Sequence, residues 1–347
     1  MSIRTLRPHE RAALLELLDG WQLPDGWRGR DFFRRYLDDD PSYADENVFV
    51  AEEAGRLVAC VQIFPRALRV AGHGIATGGI GSVFTRTETR GSGIASALLD
   101  AAVETMRARG MLLSLLFAER IAFYTRAGWT SWASTRTLLR READAAPPAR
   151  LEGDDASVDA FEVGRDLAAV RAIHASYSGV RDGTVVRDET GWRGSLHLAG
   201  NPAEDFRVAR RGGELLAYAR AVRLHGVLVV SEVGRHGDGA GAAADLLGRM
   251  LEPRADDPLA APEKPSGELR RFAVAPPLLD AALEDALLAR GIAAKSLPDP
   301  SPMLRCLDAA ALAHALDDRV GSGEDGTAYL RRILPPERFG FWPADRF

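Results

Sequence analysis

The sequence has little cysteine, no excess of basic residues and no long apolar run. Two cysteines in 347 residues leave no framework for a disulfide-stapled scaffold. Cys60 and Cys306 stand in apolar stretches, VACVQIF and MLRCLD, that suit buried thiols. The seven histidines are scattered. His174, His225 and His236 have no carboxylate or cysteine at ligand spacing, so each is expected to be a surface or satisfied core histidine, and no metal site is expected. Neither a G-K-[ST] phosphate loop nor an H-E-x-x-H zinc helix occurs. A net charge of −5 lacks the clustered basic excess that nucleic acid demands. No run approaches a membrane span, and the N-terminal MSIRTLRPHERAALLELL is charged throughout, which leaves no signal h-region. With 46% hydrophobic and 27% charged residues the composition is that of a soluble globular protein, for which a reducing cytoplasm is the expected home. The length suits two domains rather than one.

What is present concentrates in residues 79–95, GIGSVFTRTETRGSGIA. An apolar strand runs into a turn carrying Arg90, Gly91 and Gly93, and the turn opens a helix, so unpaired backbone N–H groups and a helix dipole converge on one spot. Glycines at 91 and 93 let a backbone approach its ligand where a Cβ would block it. The expected ligand is a diphosphate, held over Arg90, Gly91, Ser92, Gly93, Ile94 and Ala95. Further on, Leu98, Leu99, Ala102, Val103 and Met106 continue the helical spacing of Ile94 and Ala95, with Asp100, Glu104, Arg107 and Arg109 on the other face. An ordinary glycine-containing strand-to-helix turn would carry the same hexapeptide, so the downstream pattern matters. Met111 to Phe117 predicts a buried strand, AERIAFYTRAG a short helix closing at Gly128, and Trp129 the start of another strand. Tyr124 in that short helix is either a core aromatic or a functional hydroxyl.

The organisation repeats along the chain. Residues 47–85 predict an antiparallel meander with turns at Glu53 to Arg56 and Gly72 to Gly74. Before it, Trp21 to Tyr43 is rich in aromatics (Trp27, Phe32, Phe33, Tyr36), which form either a binding wall or core packing. Residues 143–158, Pro-rich and acidic, predict a linker between a first domain, 1–142, and a second, 159–305. The second predicts a helix at Arg165 to Tyr177, a hairpin about Gly212-Gly213, an apolar strand at Val227 to Val233, and helices at Gly239 to Leu251 and Pro277 to Arg290. SEVGRHGDGAGAAADLL is similar to SVFTRTETRGSGIASALL, which suggests duplication, but the turn is shortened and no tyrosine follows Arg290-Gly291-Ile292. Gly237 to Ala242 also satisfies a dinucleotide G-x-G-x-x-A; the strands before it predict a hairpin rather than the start of a βαβ crossover, which disfavours that use. The aromatic segment 306–347 is expected to pack back on both domains.

Arg90-Gly91-Ser92-Gly93-Ile94-Ala95 fits the R-x-x-G-x-A pattern of the GCN5-related N-acetyltransferase (GNAT) superfamily, and Tyr124 before Arg126-Ala127-Gly128-Trp129 resembles that family's closing motif. Phe117 departs from it, standing where many members carry an asparagine. The tandem layout and aromatic tail are similar to the enhanced-intracellular-survival (Eis) group, without its sterol-carrier-like domain, since only about forty residues follow Leu304. The resemblance implies an α/β fold of α+β type, two tandem GNAT folds, each a mixed and mostly antiparallel sheet flanked by helices. It implies an N-acetyltransferase with acetyl-CoA as cosubstrate and an amine of a small molecule or peptide as acceptor, with which the weak negative charge is compatible. Homo-oligomers occur in the group resembled. Val83, Phe84 and Thr85 would offer backbone groups to the pantetheine arm, Tyr124 would act as general acid, and the terminal carboxylate, here of Phe347, would serve as base. An acyl-CoA-binding sensor without turnover and a tandem acetyltransferase of the mycothiol-synthase kind are the alternatives.

Overall fold

The computed structural model describes residues 1–23, 28–141, 156–198, 204–224, 227–252 and 272–346. Its first run of elements is β1 (Ser2–Thr5), α1 (Arg11–Leu18), α2 (Gly29–Asp38), β2 (Val48–Glu53), β3 (Arg56–Val70), β4 (His73–Thr85), α3 (Ile94–Ala108), β5 (Leu113–Phe117), α4 (Ile121–Arg126), β6 (Thr130–Ser131) and β7 (Ser134–Arg141). The second is β8 (Ser157–Ala160), α5 (Val163–Gly179), α6 (Glu189–Leu198), β9 (Asp205–Arg211), β10 (Glu214–Leu224), β11 (Val227–Arg235), α7 (Ala240–Met250), β12 (Phe272–Ala275), α8 (Ala281–Leu288), β13 (Ile292–Asp299) and β14 (Pro302–Cys306), followed by α9 (Ala309–Ala315) and α10 (Gly326–Ile333).

These strands form two seven-stranded sheets, ordered β1-β2-β3-β4-β5-β14-β6 and β8-β9-β10-β11-β12-β7-β13. Position by position the orders correspond. In each, the fourth and fifth strands pair parallel, Thr77–Gly79 with Leu113–Leu115 and Leu228–Val229 with Ala273–Val274. A parallel pair needs a crossover helix, and α3 and α7 are those helices. Two tandem α/β units of one topology therefore underlie the chain.

The sixth place in each sheet is filled from the other half. β7 lies antiparallel between β12 and β13, and β14 lies antiparallel between β5 and β6. The sheets thus do not follow the division into 1–142 and 159–305: a cut at 142 would strip a strand from the second sheet. Alternation of burial along β7 reads equally well in either sheet, so the exchange leaves no local trace in the sequence. A further join is made by residues 182–186, which run antiparallel to β3 through Gly183 N–H to Arg69 O, Arg69 N–H to Thr184 O and Val186 N–H to Ala67 O, each 2.8 Å.

Apolar faces close these layers as the helical spacing predicts. Leu98, Leu99, Ala102, Val103 and Met106 of α3 are buried against β2, β3 and β5. Between the halves, Trp132 is fully buried, its indole N–H donating to Leu334 O at 2.9 Å, in a cluster with Tyr329, Phe339 and Phe341. The aromatic tail docks. Cys60 is buried as expected, but Cys306 is only half-buried. Most of the 143–158 linker lies outside the described residues.

Candidate active site: an open cleft in the first half

β4 outruns its parallel partner. It pairs with β5 only over Thr77 to Gly79, yet continues beside β3 as far as Thr85. The two strands splay beyond that point, and the edge of β4 from Val83 to Thr85 faces a gap. At the mouth of the splay the register between β3 and β4 slips near Cys60 and Gln62, and Ser82 takes a left-handed φ of 50°. For a non-glycine residue that is costly, and it persists because buried contacts hold it: the Ser82 hydroxyl donates to Gln62 Oε1 at 3.2 Å and the Cys60 thiol to Ser82 O at 3.1 Å. Burial pushes that thiol up to about 12, so it stays protonated.

The turn after β4 holds eight residues, 86–93, before α3 begins. Gly91 and Gly93 have φ of +83° and +81°, and a Cβ added at either would project into open space. The first helical bond runs from Ala97 N–H to Gly93 O at 3.1 Å. The N–H groups of Ile94, Ala95 and Ser96 are therefore free at the helix start, where the dipole favours an anion. Arg90 is exposed and anchored through its Nε to Thr85 O at 3.1 Å.

A cavity of about 1210 Å³ joins these parts. Val83, Phe84, Thr85, Arg90, Gly91, Gly93, Ile94 and Ala95 line it, and so does Tyr124 from α4 on the far side. Of the residues expected in the site, Ser92 is not in its wall; its hydroxyl donates to Thr89 O at 2.6 Å and shapes the turn instead. Phe347 lies outside the described residues. Tyr124 packs edge-on against Phe123 and Trp129, at ring separations of 4.9 and 6.4 Å. Burial raises its phenol to about 12, while the hydroxyl makes no hydrogen bond among the described residues. Tyr124 is thus both a packing aromatic and a free donor in the cleft.

Trp21, Gln22 and Phe117 also line the cavity, and Glu119 stands exposed at its rim. Neither aromatic signals a cleft role in the sequence, where Phe117 closes a buried strand at a position many GNAT members fill with asparagine and Trp21 opens an aromatic stretch. Phe33 and Tyr36, by contrast, are core residues against Phe64, and Trp27 lies outside the described residues.

Residues 2–131 match the family model of the acetyltransferase (GNAT) domain. Residues 2–131 are a GNAT acetyltransferase domain. Among solved structures, the chain is similar to a conserved protein from Enterococcus faecalis V583, at 16% identity, TM-score 0.66 and coverage of 90% of this chain and 74% of that one. A GCN5-related N-acetyltransferase from Kribbella flavida has 17% identity, TM-score 0.64 and coverage of 90% and 73%. Eis1 from Mycobacterium abscessus has 18% identity, TM-score 0.60 and coverage of 90% and 75%. No curated protein matches the chain in sequence. GNAT domains use acetyl-CoA, and the residues present fit it: the glycine turn offers free N–H groups and room for a diphosphate, and the unpaired edge of β4 offers backbone groups to an amide-bearing arm.

The corresponding place in the second half is closed. Only four residues, 236–239, separate β11 from α7. Gly239 has an ordinary negative φ, and a Cβ there would run into Leu216 O. Arg235 at the end of β11 grips Asp280, just before α8, through two hydrogen bonds of 2.7 Å, and Asp280 also accepts from the Tyr177 hydroxyl at 2.7 Å. The expectation that Gly237 to Ala242 does not begin a βαβ crossover is wrong in its topology, because β11, α7 and β12 do form a parallel unit. What argues against a dinucleotide there is the short turn and this ion pair. His174 is a buried core histidine and His236 an exposed one, as expected, though Glu232 places a carboxylate 3.0 Å from His174 Nδ1; His225 lies outside the described residues. No group of three or more potential metal ligands occurs, and no helix is long and apolar enough to cross a membrane, among the described residues.

Proposed function

We propose that the protein transfers the acetyl group of acetyl-CoA to the amine of a small molecule or peptide by direct attack, in the first half alone. The observation that carries this is one cavity holding both an open glycine turn and the unbonded hydroxyl of Tyr124. Gly91, Gly93, Ile94 and Ala95 hold the diphosphate by backbone N–H groups, with Arg90 beside them. Backbone groups of Val83 to Thr85 orient the pantetheine arm and polarise the thioester carbonyl.

The amine nitrogen bonds to the acetyl carbon, and the carbon–sulfur bond breaks. Tyr124, protonated because burial lifts its pKa to about 12, gives its proton to the departing sulfur. The proton shed by the amine restores it, directly or through a water chain. An incoming ammonium must first lose a proton, and for that step we propose the carboxylate of Phe347. The neighbouring residue supports this: the guanidinium of Arg346 lies 4.4 Å over the ring of Phe117, which lines the cleft. Glu119 at the rim is the second choice of base.

A free-thiol release assay with acetyl-CoA across polyamines, aminoglycosides, amino acids and peptide N-termini tests the proposal. Amine-dependent thiol release supports it. Tight acetyl-CoA binding with no release for any acceptor would favour a sensor instead.

A further inference from the structure

At the centre of the second half, Glu232 on β11 is fully buried among cations and donors. It accepts from Arg187 Nη2 at 2.7 Å and from the Tyr218 hydroxyl at 2.6 Å, with His174 Nδ1 at 3.0 Å and Arg220 Nη1 at 3.5 Å. Burial alone would raise its pKa, and Arg187, His174 and Arg220 together hold it well below the usual carboxylate range. Arg187 does not spend itself on Glu232 alone. Its Nε donates to Asp345 Oδ1 at 2.6 Å, and Asp345 belongs to the C-terminal tail. Three residues earlier, the Trp342 indole N–H donates to Ser178 Oγ at 2.9 Å.

Both ends of this bridge lead to the first half. Arg187 directly follows residues 182–186, which hydrogen-bond to β3, the neighbour of β4. Arg346 directly follows Asp345 and lies over Phe117, while Phe341 packs on the same ring at 5.0 Å. Phe117 forms part of the cleft wall. A fully buried cation shared by two carboxylates, one in a core strand and one in a terminal tail, ties the tail to that strand through directional, charge-assisted hydrogen bonds.

We propose that the second half, its own cleft closed, serves the first as a mount: Arg187, by gripping Glu232 and Asp345 together, positions the tail that backs Phe117 and so sets the acceptor end of the catalytic cleft. Arg187 and Asp345 are positioning residues in this account, which rests on the acetyl-transfer reading above. Arg187→Met would strip two buried carboxylates of their cation and endanger folding. Asp345→Ala is the better variant, because Glu232 keeps Arg187 and Arg220.

The test compares the full-length native protein with Asp345→Ala and with Trp342→Phe, which keeps the packing and loses one hydrogen bond. Hydrogen exchange at the Gly340 amide, which donates to Asp182 O at 2.9 Å, reads the seating of the tail, calorimetry the Kd for acetyl-CoA, and thiol release the kcat and the KM for the acceptor. Asp345→Ala should speed tail exchange, leave the acetyl-CoA Kd within twofold, and lower kcat/KM for the acceptor at least tenfold, with Trp342→Phe intermediate. A tail that exchanges faster while acceptor kinetics stay native overturns the proposal, as does a tail that stays protected. Should the native protein bind acetyl-CoA yet acetylate nothing, the functional reading fails first and this one with it.

Discussion

The two halves share strand order, the parallel pair with its crossover helix, and the reciprocal sixth strand, yet among the described residues only the first keeps an open cleft. The first spends eight residues on the turn after its fourth strand and places two left-handed glycines there; the second spends four, with no left-handed residue. Where the first leaves the splay between strands empty, the second ties it shut with Arg235 and Asp280. On the proposed reading, binding capacity depends on a few residues at one strand end, while the sheets of the two halves share one topology. The closed half remains indispensable for another reason, since it lends β14 to the first sheet and receives β7 in return.

The most severe way to break this contrast is at the glycine turn. Gly93→Asp should abolish acetyl-CoA binding by calorimetry, because it puts a side chain and a negative charge where the diphosphate is proposed to approach, at a modest cost in stability from the left-handed φ of 81°. The matching change in the other half, Gly239→Asp, should leave binding native and lower the melting temperature, because its Cβ runs into Leu216 O.

Next in size comes the hydroxyl. Tyr124→Phe should lower kcat by roughly 10²-fold with the KM for acetyl-CoA little changed, since general-acid help is worth about 10² to 10⁴. With the phenol pushed up to about 12, the native kcat/KM profile should rise with acceptor deprotonation and show no falling limb from Tyr124 below about pH 10. Near-native turnover of the variant would reduce Tyr124 to its packing against Trp129.

A smaller effect is expected from unlocking the second half. Asp280→Ala leaves Arg235 without its partner in a largely buried setting and should cost ~3 kcal/mol by denaturant unfolding. Acetyl-CoA binding should not change. The same carboxyl also gives the closed half an acid sensitivity. Burial would raise the Asp280 pKa, but Arg235, Tyr177 and the Leu283 N–H hold it below 3.8. Its contribution is therefore complete above the unfolded value and is lost as pH falls through the lower folded one. The melting temperature should be level near neutral pH and fall below about pH 4, less steeply in Asp280→Asn.

Much of the first half was legible because its signals are local. Helical spacing located α3, alternating runs located the meander, and Gly91 and Gly93 marked a turn that needs backbone without side chains. The residues that escaped are those whose partners are distant in sequence. Nothing around Ser134 to Arg141 says that this strand will pair with Phe272 to Ala275 rather than with its own neighbours. Ser82 holds its left-handed φ through Gln62 and Cys60 on an adjacent strand, a bulge with no sequence mark. Glu232 reads as one acidic residue in an apolar strand until Arg187, His174 and Asp345 are brought to it from 45, 58 and 113 residues away. Trp21 and Phe117 reach the cleft because strands splay, and splay depends on the length of two strands together.

The central claim is that one half of a duplicated fold binds acetyl-CoA and the other does not. Titrating the native protein with acetyl-CoA by calorimetry measures this directly. The account predicts one site per chain, whereas two sites per chain, or one site that survives in Gly93→Asp, would contradict it.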